Sequence, residues 1–296
     1  MDDEVLQKYI KAGQIHKEVR EFATKEAKEG VNVIELVEKI EKMIVEKGGG
    51  VAFPVNISIN DIAAHYTPDI DDTSILKNGD LVKIDIGVQI DGYIADAANS
   101  VSIGGEDQEL IKAAEDAVEQ FIKEIRPGKT IGEMTKIVEE TVQSHGFNTI
   151  RNLAGHSLEA YIEHGGLSIP NCYTPSSIEI KEDSVLGMEV FTTRGEGLVK
   201  ESSPTLIYML RQIKPVRLQE SRKIIEKVTM EYKTLPFAKR WLKGITTPLR
   251  LHLALRELEN NGVIVGYPPL RERSHSKVAQ HEETIIVRDK PIVTTR

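Results

Sequence analysis

The chain writes one stretch of sequence twice, and this duplication limits the folds open to it more than any other feature. Residues 76–85 read LKNGDLVKID and residues 180–189 read IKEDSVLGME. Aligned, Leu76 meets Ile180, Lys77 meets Lys181, Leu81 meets Val185, Ile84 meets Met188 and Asp85 meets Glu189. The match extends backwards, with IKAG at 10–13 against IKAA at 111–114, Glu35-Leu36 against Glu133-Met134, and Gly48 against Gly146. Two such helix–helix–strand units predict a pseudo-twofold pair, each copy aiming a carboxylate at the shared middle. Opposed carboxylates in one cleft repel unless a cation lies between them, and a divalent metal is the usual answer. Common descent alone explains the repeat, but not why both copies keep an acid after an apolar strand.

Bulk properties narrow the setting. A length of 296 residues allows one large core or two domains. The net charge of -8 is spread without acidic or basic blocks, so no footprint for nucleic acid or a membrane is visible. Cys172, the one cysteine, excludes an internal disulfide and suits a reducing cytosol. The start, MDDEVLQKYI, lacks the basic-then-apolar order of a signal peptide. No apolar run approaches the roughly 20 residues that span a bilayer. The expectation is a soluble cytoplasmic protein.

Apolar spacing predicts helices over 4–28 and 33–47, the second stopped by Lys47 and the glycines after it. Strand-like runs follow, VAFPVNISIN and then LVKIDIGVQIDGYIADAANSVSI, with Asp91-Gly92 as a hairpin turn. Helices fit 106–126 and 131–145 around the breaker Pro127-Gly128. After the repeat ends near residue 200, amphipathic helices over 216–232 and 247–261 read as an insertion. The tail, from KVAQHEETIIV to PIVTT, returns to strand, and the expectation is that it completes the sheet begun by the first half.

Strand alternation lets Asp85 and Asp96 point into one cleft across the Asp91-Gly92 turn, where paired residues have Cβ atoms about 5 Å apart. The second half adds His156 from GHS, Glu189 from MEVF and Glu282 from QHEET. Four carboxylates and an imidazole suit two divalent ions of the Mn, Fe, Co or Zn type. Such a pair can raise a hydroxide at neutral pH for attack on a carbonyl.

Six segments carry a family resemblance: FPVNISINDIAAHYTP at 53–68, KIDIGVQIDGYIADAA at 83–98, NLAGHSLEAYIEHGG at 152–166, PTLIYML at 204–210, LPFAKRWL at 235–242 and VAQHEETIIV at 278–287. Together they resemble methionine aminopeptidase type II, in the short form without a charged N-terminal extension. The resemblance runs end to end. It implies an α+β pita-bread fold with internal duplication, residues 1–200 and 269–296 forming the catalytic domain. Residues 201–268 would be the helical, winged-helix-like insertion of type II members. The implied activity is removal of the initiator methionine from nascent polypeptides whose second residue is small. Asp2 is large and charged, so the implied fate of Met1 is retention.

Carried over by motif, Asp85 would bind one metal, Asp96 and Glu282 would bridge both, and His156 and Glu189 would complete the other. Glu189 would also move the water's proton. His65 and His164 would lie beside the scissile bond, and Phe53, Pro54, Asn56, Ile59, His65 and Tyr267 would form the methionine pocket. The resemblance implies a monomer, leaves the ribosome open as a partner, and implies no direct nucleic-acid contact. Three positions depart from the family's usual pattern: His281 and Glu283 stand where FEHT has an aromatic and an imidazole, and Val190 stands where many relatives have proline. Two other readings compete. Prolidase-like peptidases usually carry a large extra N-terminal domain, whereas 84 residues precede Asp85. Inactive homologues that bind ribosomes or nucleic acid have lost ligand types that are all present here.

Overall fold

Each copy of the repeat opens with two helices that bury one face against a sheet. In the first, α1 (Asp3–Glu26) and α2 (Val33–Glu46) precede β1 (Gly50–Ile59), β2 (Ile62–Ala64), β3 (Leu81–Ile90) and β4 (Tyr93–Ser102). In the second, α3 (Gln108–Glu124) and α4 (Ile131–Ser144) precede β5 (Asn148–Thr149), β6 (Ala154–Ser157), β7 (Ser168–Pro170) and β8 (Val185–Thr193). The computed structural model describes all 296 residues.

The duplication is visible in the backbone. Asn32 caps α2 and Thr130 caps α4, the latter in a reciprocal capping box with Glu133. The Gly30 N–H donates to the Leu76 carbonyl at 2.8 Å, and the Gly128 N–H donates to the Ile180 carbonyl at 2.9 Å. The return bonds, Leu76 to Val31 and Ile180 to Lys129, measure 2.9 and 2.8 Å. The turns that feed β3 and β8 hold Gly79 and Asp183 at φ of 87° and 60°. These matched turns launch Asp85 and Glu189 from equivalent places.

Two cores result. One packs Val19, Leu36, Ile40 and Ile44 against Ile57, Ile84 and Ile86; the other packs Val118, Phe121, Met134 and Val138 against Leu186, Met188 and Val190. Burying apolar side chains of this size is worth roughly 1.5–3 kcal/mol each. The pattern reads directly off the sequence, because β3 and β8 alternate core and site residues.

From Val199 onward the chain forms β9 (Val199–Glu201), β10 (Ile207–Leu210), α5 (Gln219–Glu231), β11 (Phe237–Ala238), α6 (Pro248–Asn260), β12 (Ile264–Tyr267), β13 (Leu270–Glu272), β14 (Val278–Ile286) and β15 (Ile292–Val293). Strands β11, β10 and β12 make a separate three-stranded sheet. With α5 and α6 it encloses its own cluster, including Tyr208, Ile224, Val228, Phe237, Leu255 and Leu258. A buried Arg240 ties this region to the first copy, pairing with Glu41 while Trp241 donates to the same carboxylate at 3.0 Å.

The last strands do not join the first copy's sheet, contrary to the sequence expectation. Strand β14 ladders along all of β8, from Val278 opposite Thr193 to Ile286 opposite Val185, and β15 pairs on its other edge. The order is β15-β14-β8-β6-β7, while β1-β3-β4 stands alone. Repeat symmetry supplies the reason: β14 is to β8 what β4 is to β3. Where the first copy turns in two residues, Asp91 at φ 52° and Gly92 at φ 89°, the second inserts the whole segment from Arg194 to Lys277.

The two sheets meet along β4 and β14 through hydroxyls. Thr284 accepts from the Asp96 N–H at 2.7 Å and donates to the Asp96 carbonyl at 2.6 Å. Ser100 does the same for Gln280, at 2.8 Å both ways. Each hydroxyl thus satisfies a donor and an acceptor that a ladder would otherwise pair.

Candidate metal centre

Asp85 lies in the middle of β3 and Asp96 on β4, but they are diagonal neighbours, since Asp85 pairs with Ala98 and Asp96 with Gly87. Glu189 and Glu282 are directly opposed on β8 and β14. His156 on β6 stands opposite Gly187, two residues before Glu189. Ligand atoms of Asp96, His156 and Glu282 all fall within 4.8 Å of one another. The Gln280 amide joins the remaining two, donating to Glu189 Oε2 at 3.1 Å and to Asp85 Oδ2 at 3.4 Å. The structure therefore brings together all five side chains singled out from the sequence.

Local contacts fix these groups. Asn171 holds the Glu189 backbone, its amide donating to the Glu189 carbonyl at 2.8 Å while its oxygen accepts from the Phe191 N–H at 2.7 Å. Gly187 is required for space, because a Cβ there would sit 2.9 Å from Glu282 Oε1 and 3.1 Å from His156 Cε1.

The electrostatics are those of a cation site without a protein cation. Burial first, then mutual repulsion, raises Asp96, Glu189 and Glu282 well above the ordinary carboxylate range. Asp85 is raised by burial, with the Gln280 bond opposing. Asp85 Oδ1, Asp96 Oδ1 and Glu282 Oε1 are buried with no hydrogen-bond partner. Burial lowers His156 to about 3, so its imidazole is neutral and free to act as a ligand. Orphaned carboxylate oxygens converging with a neutral imidazole fit a bound divalent cation.

A row of rings leads away from the acids. His156 and His164 have ring centroids 4.4 Å apart, His164 stacks on Tyr267 at 6.1 Å, and Tyr267 meets His65 edge-on at 5.5 Å. His65 adopts φ of 62°, an uncommon conformation outside glycine, and burial lowers it to about 4. His164 is also lowered by burial.

The pocket residues divide. Phe53 is buried with its ring against Gly87, which belongs to the same face of β3 as Asp85, and Asn56 is paired with Asp85. Pro54 is buried between them, its carbonyl accepting from the Asn56 amide at 2.7 Å. Ile59 does not belong to this group and is a correction: it packs on the helix-facing core of α1 and α2. A bulge between Phe53 and Asn56 shifts the register of β1, so Ile59 pairs with Val82 and faces the helices and not the site.

The departures on β14 resolve by alternation. Glu283 turns away from the acids to Arg20 and Arg296, which hold it below the usual range despite burial. His281 shares that face, 3.7 Å from Glu283, and burial lowers it to about 4. Val190 lies in the core beneath α3 and α4.

Two polar residues escaped the sequence reading. Gln280 had a signal, since it precedes Glu282 by two and so shares its face. Glu163 had none beyond its place next to His164. Burial, then Asp85, raises its carboxyl to about 8.

A family model described as "Metallopeptidase family M24" matches residues 7–239. The chain belongs to metallopeptidase family M24. It is 50% identical to a methionine aminopeptidase of Pyrococcus abyssi, over 98% of this chain and 99% of that one. It is 42% identical to one of Methanocaldococcus jannaschii, over the full length of both. Among solved structures, a thermophilic Arx1 superposes with a TM-score of 0.89 at 19% identity, covering 99% of this chain and 91% of that one. The methionine aminopeptidase of Rickettsia prowazekii gives 0.73 at 21% identity, with 100% and 98% covered. As an M24 metallopeptidase it has the pita-bread fold that the family resemblance implies. No helix is long and apolar enough to cross a membrane.

Proposed function

We propose that this metallopeptidase removes the initiator methionine from nascent polypeptides with a small second residue, using two divalent ions of the Co, Mn, Fe or Zn type. The observation that carries the reading is a group of four converging carboxylates, Asp96 and Glu282 buried and Asp85 and Glu189 half-buried, with no lysine or arginine among the charges that shift them. Asp85 would hold one ion, His156 and Glu189 the other, and Asp96 and Glu282 both. Bound there, the ions would lower the pKa of a water and polarise the scissile carbonyl.

The chain's own groups do the rest. Glu189 takes the water's proton and returns it to the leaving amine, while Gln280 fixes its carboxylate. His65, neutral by burial, and His164, at the exposed side, donate hydrogen bonds to the peptide. Phe53, Pro54, Asn56 and Tyr267 wall the methionine pocket, where an apolar lining suits a thioether. We assign this chemistry to a catalytic body of residues 1–200 and 269–296, with 201–268 as an insertion. The substrate places the enzyme in the cytoplasm, where nascent chains are made.

The test is hydrolysis of Met-Ala-Ser with and without chelator, on protein whose metal content has been measured. Release of free methionine that chelation stops is the expected result. Release unaffected by chelation, or none from metal-loaded protein, sinks the reading.

A further inference from the structure

The loop between β6 and β7 carries His164, and the rest of the protein grips that loop at another residue. At its base the Gly165 N–H donates to the Ser157 carbonyl at 2.7 Å, and the Ser157 N–H donates to the Leu167 carbonyl at 2.9 Å. At its tip Glu159 and Ile162 exchange backbone bonds of 3.0 Å each way, closing a tight turn that holds Tyr161 at φ of 60°. A bulky side chain in the left-handed region persists only where its surroundings over-determine it.

Two distant segments supply those surroundings. From the first copy, the Gly92 carbonyl accepts from the Tyr161 N–H at 2.9 Å, and the tyrosine ring fills the space of a Cβ on Gly92, 2.3 Å from Cδ2. From the insertion, the Thr234 hydroxyl donates to the Tyr161 carbonyl at 2.6 Å, and Lys233 Nζ lies 3.8 Å from the ring centroid. Asp91 and Lys233 are themselves at φ of 52° and 56°. Three of the seven non-glycine residues with positive φ thus lie at this one junction.

The His164 ring is held by much less. It makes no hydrogen bond to the protein, its Nδ1 being 3.8 Å from Glu163 Oε2, and its side chain is 41% exposed. Only the His156 and Tyr267 rings flank it. Its direction is therefore set by the backbone between Ile162 and Gly165, and the grip at Tyr161 fixes the near end of that segment.

We propose that Tyr161 is a positioning residue for His164, and that through it the insertion is coupled to the reaction. The inference rests on the aminopeptidase reading, in which His164 donates to the peptide, and adds the device that keeps the donor in place. Moving such a group by about 1 Å can cost about a hundredfold. A loop that is loosened but not displaced should cost about tenfold in kcat, with KM within about twofold of native.

The experiment is a double-mutant cycle on metal-loaded protein, read as methionine release from Met-Ala-Ser. Tyr161→Asn removes the ring but tolerates the left-handed backbone, and it should lower kcat about tenfold at native metal content. Tyr161→Phe should recover most of that activity, since the hydrogen bonds of Tyr161 run through its backbone. In a His164→Ala background, Tyr161→Asn should cost less than about twofold further. The same tenfold cost in both backgrounds overturns the proposal, as does a loss of bound metal or no loss of activity at all. Lys233→Gly combined with Thr234→Val loosens the grip from the insertion without touching the loop, so it decides the matter if Tyr161→Asn does not fold. It should cost about threefold in kcat and nothing further in the His164→Ala background, and an unchanged kcat overturns the coupling. No methionine released by native protein would instead remove the aminopeptidase reading, and this role with it.

Discussion

The two copies of the repeat build the centre by different means. The first is closed: β3 and β4 join through Asp91-Gly92, so Asp85 and Asp96 come from one hairpin. The second is open: His156, Glu189 and Glu282 come from three strands, with the chain from Arg194 to Lys277 running out between two of them. The closed copy supplies only carboxylates, placed by local geometry. The open copy supplies the imidazole, and its geometry depends on the long β8–β14 ladder. A site shared by both must fail when either copy is damaged.

That claim breaks most visibly at single ligands. Asp96→Asn in the closed copy and Glu282→Gln in the open one should each cut kcat/KM on the order of a thousandfold, from loss of several kcal/mol of metal-dependent stabilisation. Metal content by elemental analysis should fall in both, and a large loss in only one would mean that the copies do not share a centre. The neighbouring Glu283→Gln should leave metal content unchanged while lowering unfolding free energy by about 3 kcal/mol, because it strands Arg20 inside the fold.

A smaller effect concerns acidity. Asp85, Asp96, Glu189 and Glu282 have folded pKa values raised above their unfolded ones. Such groups stabilise the fold at low pH and lose that contribution as pH rises through the folded values. Chelator-stripped protein should therefore lose stability from about pH 4 upward through neutrality. His16 and His281, lowered to about 3 and 4 by burial, act in the opposite sense, losing stability as pH falls below about 6.5. They are present with or without metal, so the difference between loaded and stripped melting curves isolates the metal ligands, the four carboxylates and His156 together. At a hundredfold excess over Kd, metal should add about 2.7 kcal/mol. Parallel curves for the two forms would argue that the acids do not bind it.

The smallest effect tests the seam. Thr284→Val and Ser100→Ala each leave a buried donor and acceptor unpaired, at about 1–3 kcal/mol. Similar losses in urea unfolding would show that the two hydroxyls are equivalent across the pseudo-twofold axis. A loss in one alone would show that the copies have diverged there.

The duplication, the helix boundaries and the five clustered side chains were legible because a repeat with period-2 alternation carries its own register. Asp85 and Glu189 follow matched turns, and Glu282 could be told from Glu283 because only one of two adjacent strand residues can face the site. What escaped was set by neighbours distant in sequence. The resemblance assigns Ile59 to the pocket, but the register shift in β1 turns it to the helix-facing core, and no motif reports a bulge. The pairing of β14 with β8 instead of the first copy's sheet required the symmetry to be followed into a strand whose sequence had drifted. Glu163 sits in a loop, where position along the chain says little about direction in space.

The gap between Thr193 and Val278 has a consequence for how such a protein can change. Because β8 and β14 are zipped along their whole length, their ends stay side by side whatever hangs from them. Lengthening a closed loop grows costly only logarithmically, about 0.6 kcal/mol per doubling. The edge of the second sheet is thus a socket: foreign sequence can be spliced in, exchanged or trimmed there while the strands that hold the chemistry keep their alignment.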